Sequence, residues 1–206
     1  MLKLILNKKY NPLFESDARY FIITGGRGSG KSFAVTVFLT LLTMSKNIRV
    51  LFTRFTMVSA HLSIIPEFLE KISLLGFDNI FSVNKAEVVN LGNKSDILFR
   101  GIKTSAGNQT ASLKSLQGIS TWVLDEAEEL IDENIFDTID LSIREKNIQN
   151  RIILVLNPVT KEHWIYDRFF QEKGVEAGFN GIKDNVCYIH STYLSLIHIS
   201  EPTRPY

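Results

Sequence analysis

The stretch that most restricts what this chain can become runs from residue 19 to 39, R-Y-F-I-I-T-G-G-R-G-S-G-K-S-F-A-V-T-V-F-L. Tyr20 to Ile23 read as a short apolar strand, a glycine-rich turn follows, and an apolar helix opens at Lys31 and Ser32. The turn satisfies G-x-x-x-x-G-K-[ST] at Gly25, Gly30, Lys31 and Ser32, with Gly26, Arg27, Gly28 and Ser29 inside it. Glycines let successive backbone N–H groups curl around a phosphate with no Cβ in the way, and the helix start adds the positive end of its dipole. From there Lys31 reaches the β and γ phosphates of a nucleotide such as ATP, and the Ser32 hydroxyl is placed to ligate Mg2+.

Such a loop needs a carboxylate partner, and the segment I-S-T-W-V-L-D-E-A-E-E-L (119–130) supplies one. Trp122, Val123 and Leu124 read as a buried strand that ends in Asp125 and Glu126. Asp125 is the expected magnesium-holding aspartate. Glu126, one residue on, points elsewhere and is the candidate general base for the attacking water. Asp-Glu after an apolar run is a weak motif alone, because acids commonly begin helices; about 94 residues downstream of Lys31, with strands between, it gains force. Glu128 and Glu129 read as a solvated helix face. A third strand, R-I-I-L-V-L-N-P (151–158), ends in Asn157, placed either to sense the γ-phosphate or simply to start a turn with Pro158. The expected picture has the loop and the carboxylates on neighbouring strands, facing each other across one triphosphate.

The rest of the chain fits an α/β P-loop NTPase fold of the additional-strand, catalytic-glutamate type: a mostly parallel sheet flanked by helices, plus an edge β-hairpin. I-R-V-L-F-T (48–53) is a second buried strand, with Arg54 at the strand end where open sheets place ligands. Apolar residues at helical spacing from Met57 to Leu75 (Leu62, Ile65, Phe68, Leu69, Ile72) predict a helix interrupted by Pro66. Two alternating segments around Gly92-Asn93 predict the hairpin. Residues 101–118 are polar and read as a mobile loop whose Lys103 and Lys114 either meet phosphates or are merely solvated. A helix is expected from Asp132 to about Glu145, an amphipathic helix over 161–170 and a last strand over 185–192. In the lead-in before residue 19, Leu2–Leu6 is a candidate edge strand, and Phe14 and Tyr20 are either adenine-stacking rings or ordinary packing residues.

With 206 residues, of which 45% are hydrophobic, the chain has room for one cored domain but not for two full ones. A net charge of +1 carries no global signature of nucleic-acid binding. The single cysteine, Cys187, rules out an internal disulfide framework and reads as a small buried strand residue. The N-terminal apolar burst is too short for a signal peptide, and the longer run Phe33–Met44 reads as a buried helix, so the chain is expected in the cytoplasm. His61, His163, His190 and His198 lack paired metal-ligand spacing, and there is no Gly-x-Ser-x-Gly elbow.

The loop G-G-R-G-S-G-K-S, the strand V-L-D-E-A, the strand end L-V-L-N-P followed by H-W-I-Y, and the terminal H-S-T-Y-L together resemble the ATPase half of a tailed-phage terminase large subunit, of the PBSX-like group. The likeness runs from about residue 10 to 194. It implies a motor that packages double-stranded viral DNA into a procapsid in the host cytoplasm, working as a homo-oligomeric ring on the portal protein together with the small terminase subunit. It gives Lys31 and Ser32 to phosphate and magnesium, Asp125 to the metal, Glu126 to water, Arg27 to the γ-phosphate and Asn157 to coupling hydrolysis with movement. Where relatives often carry a trans-acting arginine, before Gly118, this chain has Gln117, with Lys114 nearby. The motor domain is expected over 1–194. The last residues, 195–206, resemble translated sequencing-adapter bases and are set aside as a non-native tail, and no nuclease activity is expected of the chain.

The residues alone leave two other readings open. A helicase-like translocase shares the loop and the acidic pair but calls for arginine-rich motifs in a second lobe. A non-catalytic nucleotide-binding assembly module would have no need of Glu126.

Overall fold

The computed structural model describes residues 6–56, 60–104, 107–108, 113 and 115–192. Residues 2–5 of the candidate edge strand Leu2–Leu6, Lys114 and the set-aside tail lie outside the described residues, and Leu6 itself is in no strand. After a one-turn helix α1 (Pro12–Glu15), six parallel strands make the centre of the fold: β1 (Tyr20–Gly25), β2 (Arg49–Arg54), β5 (Asp96–Gly101), β8 (Thr121–Asp125), β9 (Arg151–Leu156) and β11 (Val186–Ser191). Antiparallel strands finish both edges, β10 (Gly181–Lys183) on one side and β4 (Glu87–Asn90) with β3 (Phe81–Val83) on the other. Together these nine form one sheet in the order β10-β11-β1-β9-β8-β2-β5-β4-β3. A two-stranded ribbon of β6 (Lys103–Thr104) and β7 (Gly107–Asn108) lies outside it.

The central strands are continuous apolar runs because both faces are covered. Phe21, Ile23, Val50, Phe52, Val123, Ile153, Val155, Cys187 and Ile189 pack in one core under α2 (Lys31–Leu42) and α3 (Ala60–Leu74). The alternate residues Ile22, Leu51, Trp122, Leu124, Ile152, Leu154 and Tyr188 pack in the other, under α4 (Glu133–Asp140) and the helical turns from Trp164 to Gln171. Arg168 clamps that second layer, with Nη1 donating to Glu133 at 3.0 Å and Asp137 at 2.6 Å and its guanidinium over the Phe136 ring. Two buried threonines are satisfied by the helix itself: Thr40 in α2 donates to the Thr36 carbonyl at 2.8 Å, and Thr43 at its C-terminal cap to that of Leu39 at 3.1 Å.

The predicted hairpin is β4 and β5, turning through Gly92 and Asn93. The Asn93 amide also donates to the carbonyls of Thr43, Met44 and Ser45 just past α2, so the hairpin tip closes that helix end. Cys187 is buried in β11 as expected, and burial pushes its thiol up to about 11.

Three expectations are corrected. Helix α3 runs through Pro66 without interruption: the proline faces solvent while Ile64, Ile65, Phe68 and Ile72 hold the helix to the core. The loop over 101–118 carries the short ribbon and buries Ile102 and Leu113 in the second core. Above all, β1 and β8 are not neighbours. Strand β9, the additional strand of the expected fold type, lies between them, with Thr24 opposite Leu156 on one side and Asp125 opposite Val155 on the other.

Candidate functional site

The insertion of β9 assembles the site, because it sets the end of one strand between the loop and the carboxylates. All of the parallel strands run the same way, so Gly25, Arg54, Asp125 and Asn157 emerge at one edge of the sheet. There they meet in a cavity of about 330 Å3 lined by Arg27–Phe33, Arg54, Asp125, Glu126, Glu128, Val155, Leu156 and Asn157. Every residue expected to act therefore reaches one place, except that Gly25 and Gly26 form the base of the loop instead of the cavity wall.

The loop is shaped by its glycines at two points. A Cβ at Gly25 would lie 2.2 Å from the Ser191 carbonyl oxygen, so no larger residue fits where the loop leaves β1. Gly30 caps α2 in the left-handed region, at φ 83°, which turns the chain from the loop into the helix. The first N–H groups of α2 have no partner within the helix and open onto the cavity. Lys31 is folded back on the loop: Nζ donates to the carbonyls of Gly25 at 2.5 Å and Gly26 at 3.0 Å and to Asn157 Oδ1 at 3.4 Å. Burial pulls its pKa down, opposed by the charges of Glu128 and Asp125.

On the far side Asp125 is buried, and Arg54 holds it, Nε donating to Oδ2 at 2.7 Å and Nη2 lying 2.6 Å away. Burial raises the carboxyl's pKa against the pull of that guanidinium. Glu126 adopts φ 54°, which swings its carboxylate out of line with the strand to 3.6 Å from Arg54 Nε. Desolvation raises its pKa too, with Arg54 opposing and Asp125 adding to the rise.

Glu128 is a correction. Instead of a solvated helix face it is half-buried, accepting from the Asn157 side-chain amide at 2.5 Å and its backbone N–H at 3.2 Å. His163 supports this arrangement from behind. Its Nδ1 accepts from the Ile165 N–H, so Nε2 carries the proton and donates to the Glu128 carbonyl at 3.2 Å. Asn157 thus bridges Lys31 and Glu128.

The sequence also passed over Glu67 of α3. It lines a void of about 10 Å3 behind Ser32 and Asp125, and burial raises its pKa, with Lys71 opposing. Tyr20 is no adenine platform: it stands at the opposite end of β1, donating to Asp140 Oδ2 at 2.7 Å and packing on Phe169. Phe14 packs edge-on against Phe38 and is not part of the cavity wall. Gln117 is exposed, its carbonyl accepting from Arg49. Lys103 lies over the Phe55 ring.

A parallel sheet with a glycine loop after β1, carboxylates after β8 and a polar strand end between them defines a P-loop NTPase fold. The chain belongs to the phage terminase large subunit family, whose profile matches residues 17–201. It is 24% identical to the terminase large subunit of Bacillus phage SPP1 over 98% of this chain and 50% of that protein. In structure it is similar to the large terminase of a thermophilic bacteriophage, with a TM-score of 0.72 at 12% identity, covering 96% of this chain and 48% of that one. The same thermophilic phage protein in complex with ATP-gamma-S aligns at 0.66, also at 12% identity, over 96% and 47%. The N-terminal domain of the bacteriophage phi29 DNA packaging ATPase aligns at 0.65, with 17% identity, over 87% of this chain and 93% of that domain. The chain therefore spans about half the length of the SPP1 protein and of the thermophilic phage terminase. Among the described residues no helix is long and apolar enough to cross a membrane.

Proposed function

We propose that this chain is the ATP-hydrolysing motor part of a terminase large subunit, driving double-stranded DNA into a procapsid in the host cytoplasm. The observation that carries this reading is the convergence of Lys31, Ser32, Asp125, Glu126 and Asn157 on one cavity from separate segments of chain. The ATP-gamma-S complex of the thermophilic phage terminase supports ATP as the nucleotide. The motor domain is taken as residues 1–194, and the partners are those the family resemblance implies: DNA, portal protein, small subunit and neighbouring copies in a ring.

The donors fit Mg2+. Ser32 offers a hydroxyl and Asp125 a carboxylate, hard oxygens at one wall of the cavity, and magnesium typically takes one or two such protein ligands and completes its shell with phosphates and water. When bound, the ion neutralises charge on the β and γ phosphates. The chain's own residues do the rest. Loop amides and the Lys31 ammonium hold the phosphates, which requires Lys31 to leave the Gly25 and Gly26 carbonyls. Asp125, now paired with Arg54, would be the carboxylate that holds a bound magnesium ion, usually through water. Glu126 accepts a proton from the attacking water, and Arg27 reaches the γ-phosphate from the exposed side of the loop. Asn157, joined to both Lys31 and Glu128, passes the state of the phosphates to the segment that follows β9.

ATP turnover of the parent, Lys31→Ala and Glu126→Gln tests this. Glu126→Gln should lose about 100-fold or more in kcat while still binding ATP. Lys31→Ala should lose binding. Parent-like hydrolysis by both variants would overturn the assignment.

A further inference from the structure

Beneath the phosphate loop the N-terminal segment meets the last central strand. Tyr10 closes a 3-10 turn (Lys8–Tyr10) and is 2% exposed. Its hydroxyl lies 2.7 Å from Ser191 Oγ and 3.1 Å from the Ser29 carbonyl oxygen. A phenol has one proton and a carbonyl can only accept, so Tyr10 donates to Ser29 and accepts from the Ser191 hydroxyl. Burial raises the phenol's pKa, which keeps that proton in place. Ser29 is in the loop, and Ser191 stands opposite Gly25 in the β1–β11 register. The same two strands are tied again one residue back, where His190 Nδ1 lies 2.9 Å from Thr24 Oγ1, and Lys9 Nζ donates to the His190 carbonyl at 3.3 Å.

The consequence lies in the Ser29–Gly30 peptide. In a trans peptide the C=O and N–H point in opposite directions. With the Ser29 carbonyl held at the rear by Tyr10, the Gly30 N–H is turned the other way, toward the cavity that Gly30 lines. Gly30 has no side chain to resist rotation of this peptide, so the orientation needs an outside anchor.

We infer that Tyr10 is a positioning residue for the phosphate loop, fixing the Ser29–Gly30 peptide so that its N–H is presented to the phosphates of a nucleoside triphosphate. This rests on the reading of residues 25–32 as the phosphate site. It makes nucleotide affinity depend on a side chain that never touches nucleotide.

The test is titration of Mg-ATP into the 206-residue chain by calorimetry, alongside thermal melting without nucleotide. Tyr10→Phe should weaken ATP about tenfold, the loss of one well-placed phosphate donor, and raise KM more than it lowers kcat. Parent-like affinity in Tyr10→Phe overturns the inference whatever its melting temperature, because a merely structural tyrosine would lower the melt and leave affinity alone. Should Tyr10→Phe not fold, Ser191→Ala decides, since it removes only the hydroxyl bracing the phenol: roughly two- to fivefold weaker binding upholds the inference and unchanged binding overturns it. Lys31→Ala separates the two levels. If it binds ATP like the parent, the phosphate-site reading falls and the inference with it; if it loses binding while Tyr10→Phe keeps it, only the inference falls.

Discussion

Glu67 and Asp125 are carboxylates kept from water on the same side of the sheet, and they differ in what neutralises them. Asp125 has the Arg54 guanidinium on it; Glu67 has no ion pair of its own among the described residues and feels the charges of Lys71 and Arg54 only through space. Burial raises the Glu67 pKa above its ordinary 4.5, so the folded chain binds that proton more tightly than the unfolded chain. Its ionisation therefore costs stability as pH rises from about 4.5 through the folded value, and the cost is absent below 4.5. Glu67→Gln should melt higher than the parent at about pH 7 and level with it at about pH 4, read from melting temperature against pH. Arg54→Ala has the opposite sign. It strands the Asp125 charge in a site where that side chain is 7% exposed, and should cost about 3 kcal/mol of unfolding free energy without nucleotide. Arg54→Ala with Asp125→Asn should recover part of that loss. Urea denaturation checks both, and equal stability of parent and Arg54→Ala would refute the role given to the pair.

At the scale of elements, β8 carries the site and Trp122 anchors β8. Its indole is fully buried against Phe136 and donates to Thr53 Oγ1 at 2.9 Å, tying β8 to β2 three residues before Asp125. Trp122→Ala should lose about 3 to 5 kcal/mol by urea denaturation, enough to leave much of the chain unfolded at physiological temperature. The elements that the sequence made legible are those whose pattern has one physical meaning: the loop into α2, and the apolar runs of β2, β8 and β9. The rest was hidden for identifiable reasons. Pro66 costs α3 one i→i−4 bond, but the apolar stripe of Ile64, Ile65, Phe68 and Ile72 holds the helix to the core on both sides of it. D-E-A-E-E looks like an acidic helix start, but the left-handed backbone at Glu126 turns the chain back so that Glu128 faces Asn157. The stretch over 161–170 is a single α turn (Trp164–Tyr166) followed by wider π turns over Asp167–Gln171, and amphipathic spacing does not distinguish these from a continuous helix. Strand β10 is three residues long and mostly exposed, too short to alternate visibly.

For the molecule as a whole, the expected fold type already called for an additional strand in the sheet, but not which run of residues supplies it. Apolar runs buried on both faces look alike, and nothing local to β9 says that it slots between β1 and β8; the packing of helices over both faces decides that. The same scale governs assembly. On the proposed reading of the chain as one copy in a ring, with Gln117 where the resemblance leads one to expect an arginine, a cation from elsewhere on a neighbour would complete the site beside Arg54. Turnover per chain should then rise with protein concentration, and excess Glu126→Gln chain, inactive itself, should stimulate the parent. A rate independent of both would argue that each chain works alone. The six parallel central strands also carry a mechanical consequence. Tension applied along them would strain the cross-strand bonds in shear, many together, where peeling would break them one at a time. A domain tethered at one end of β1 and at the opposite end of β8 should therefore yield only at high force in single-molecule stretching.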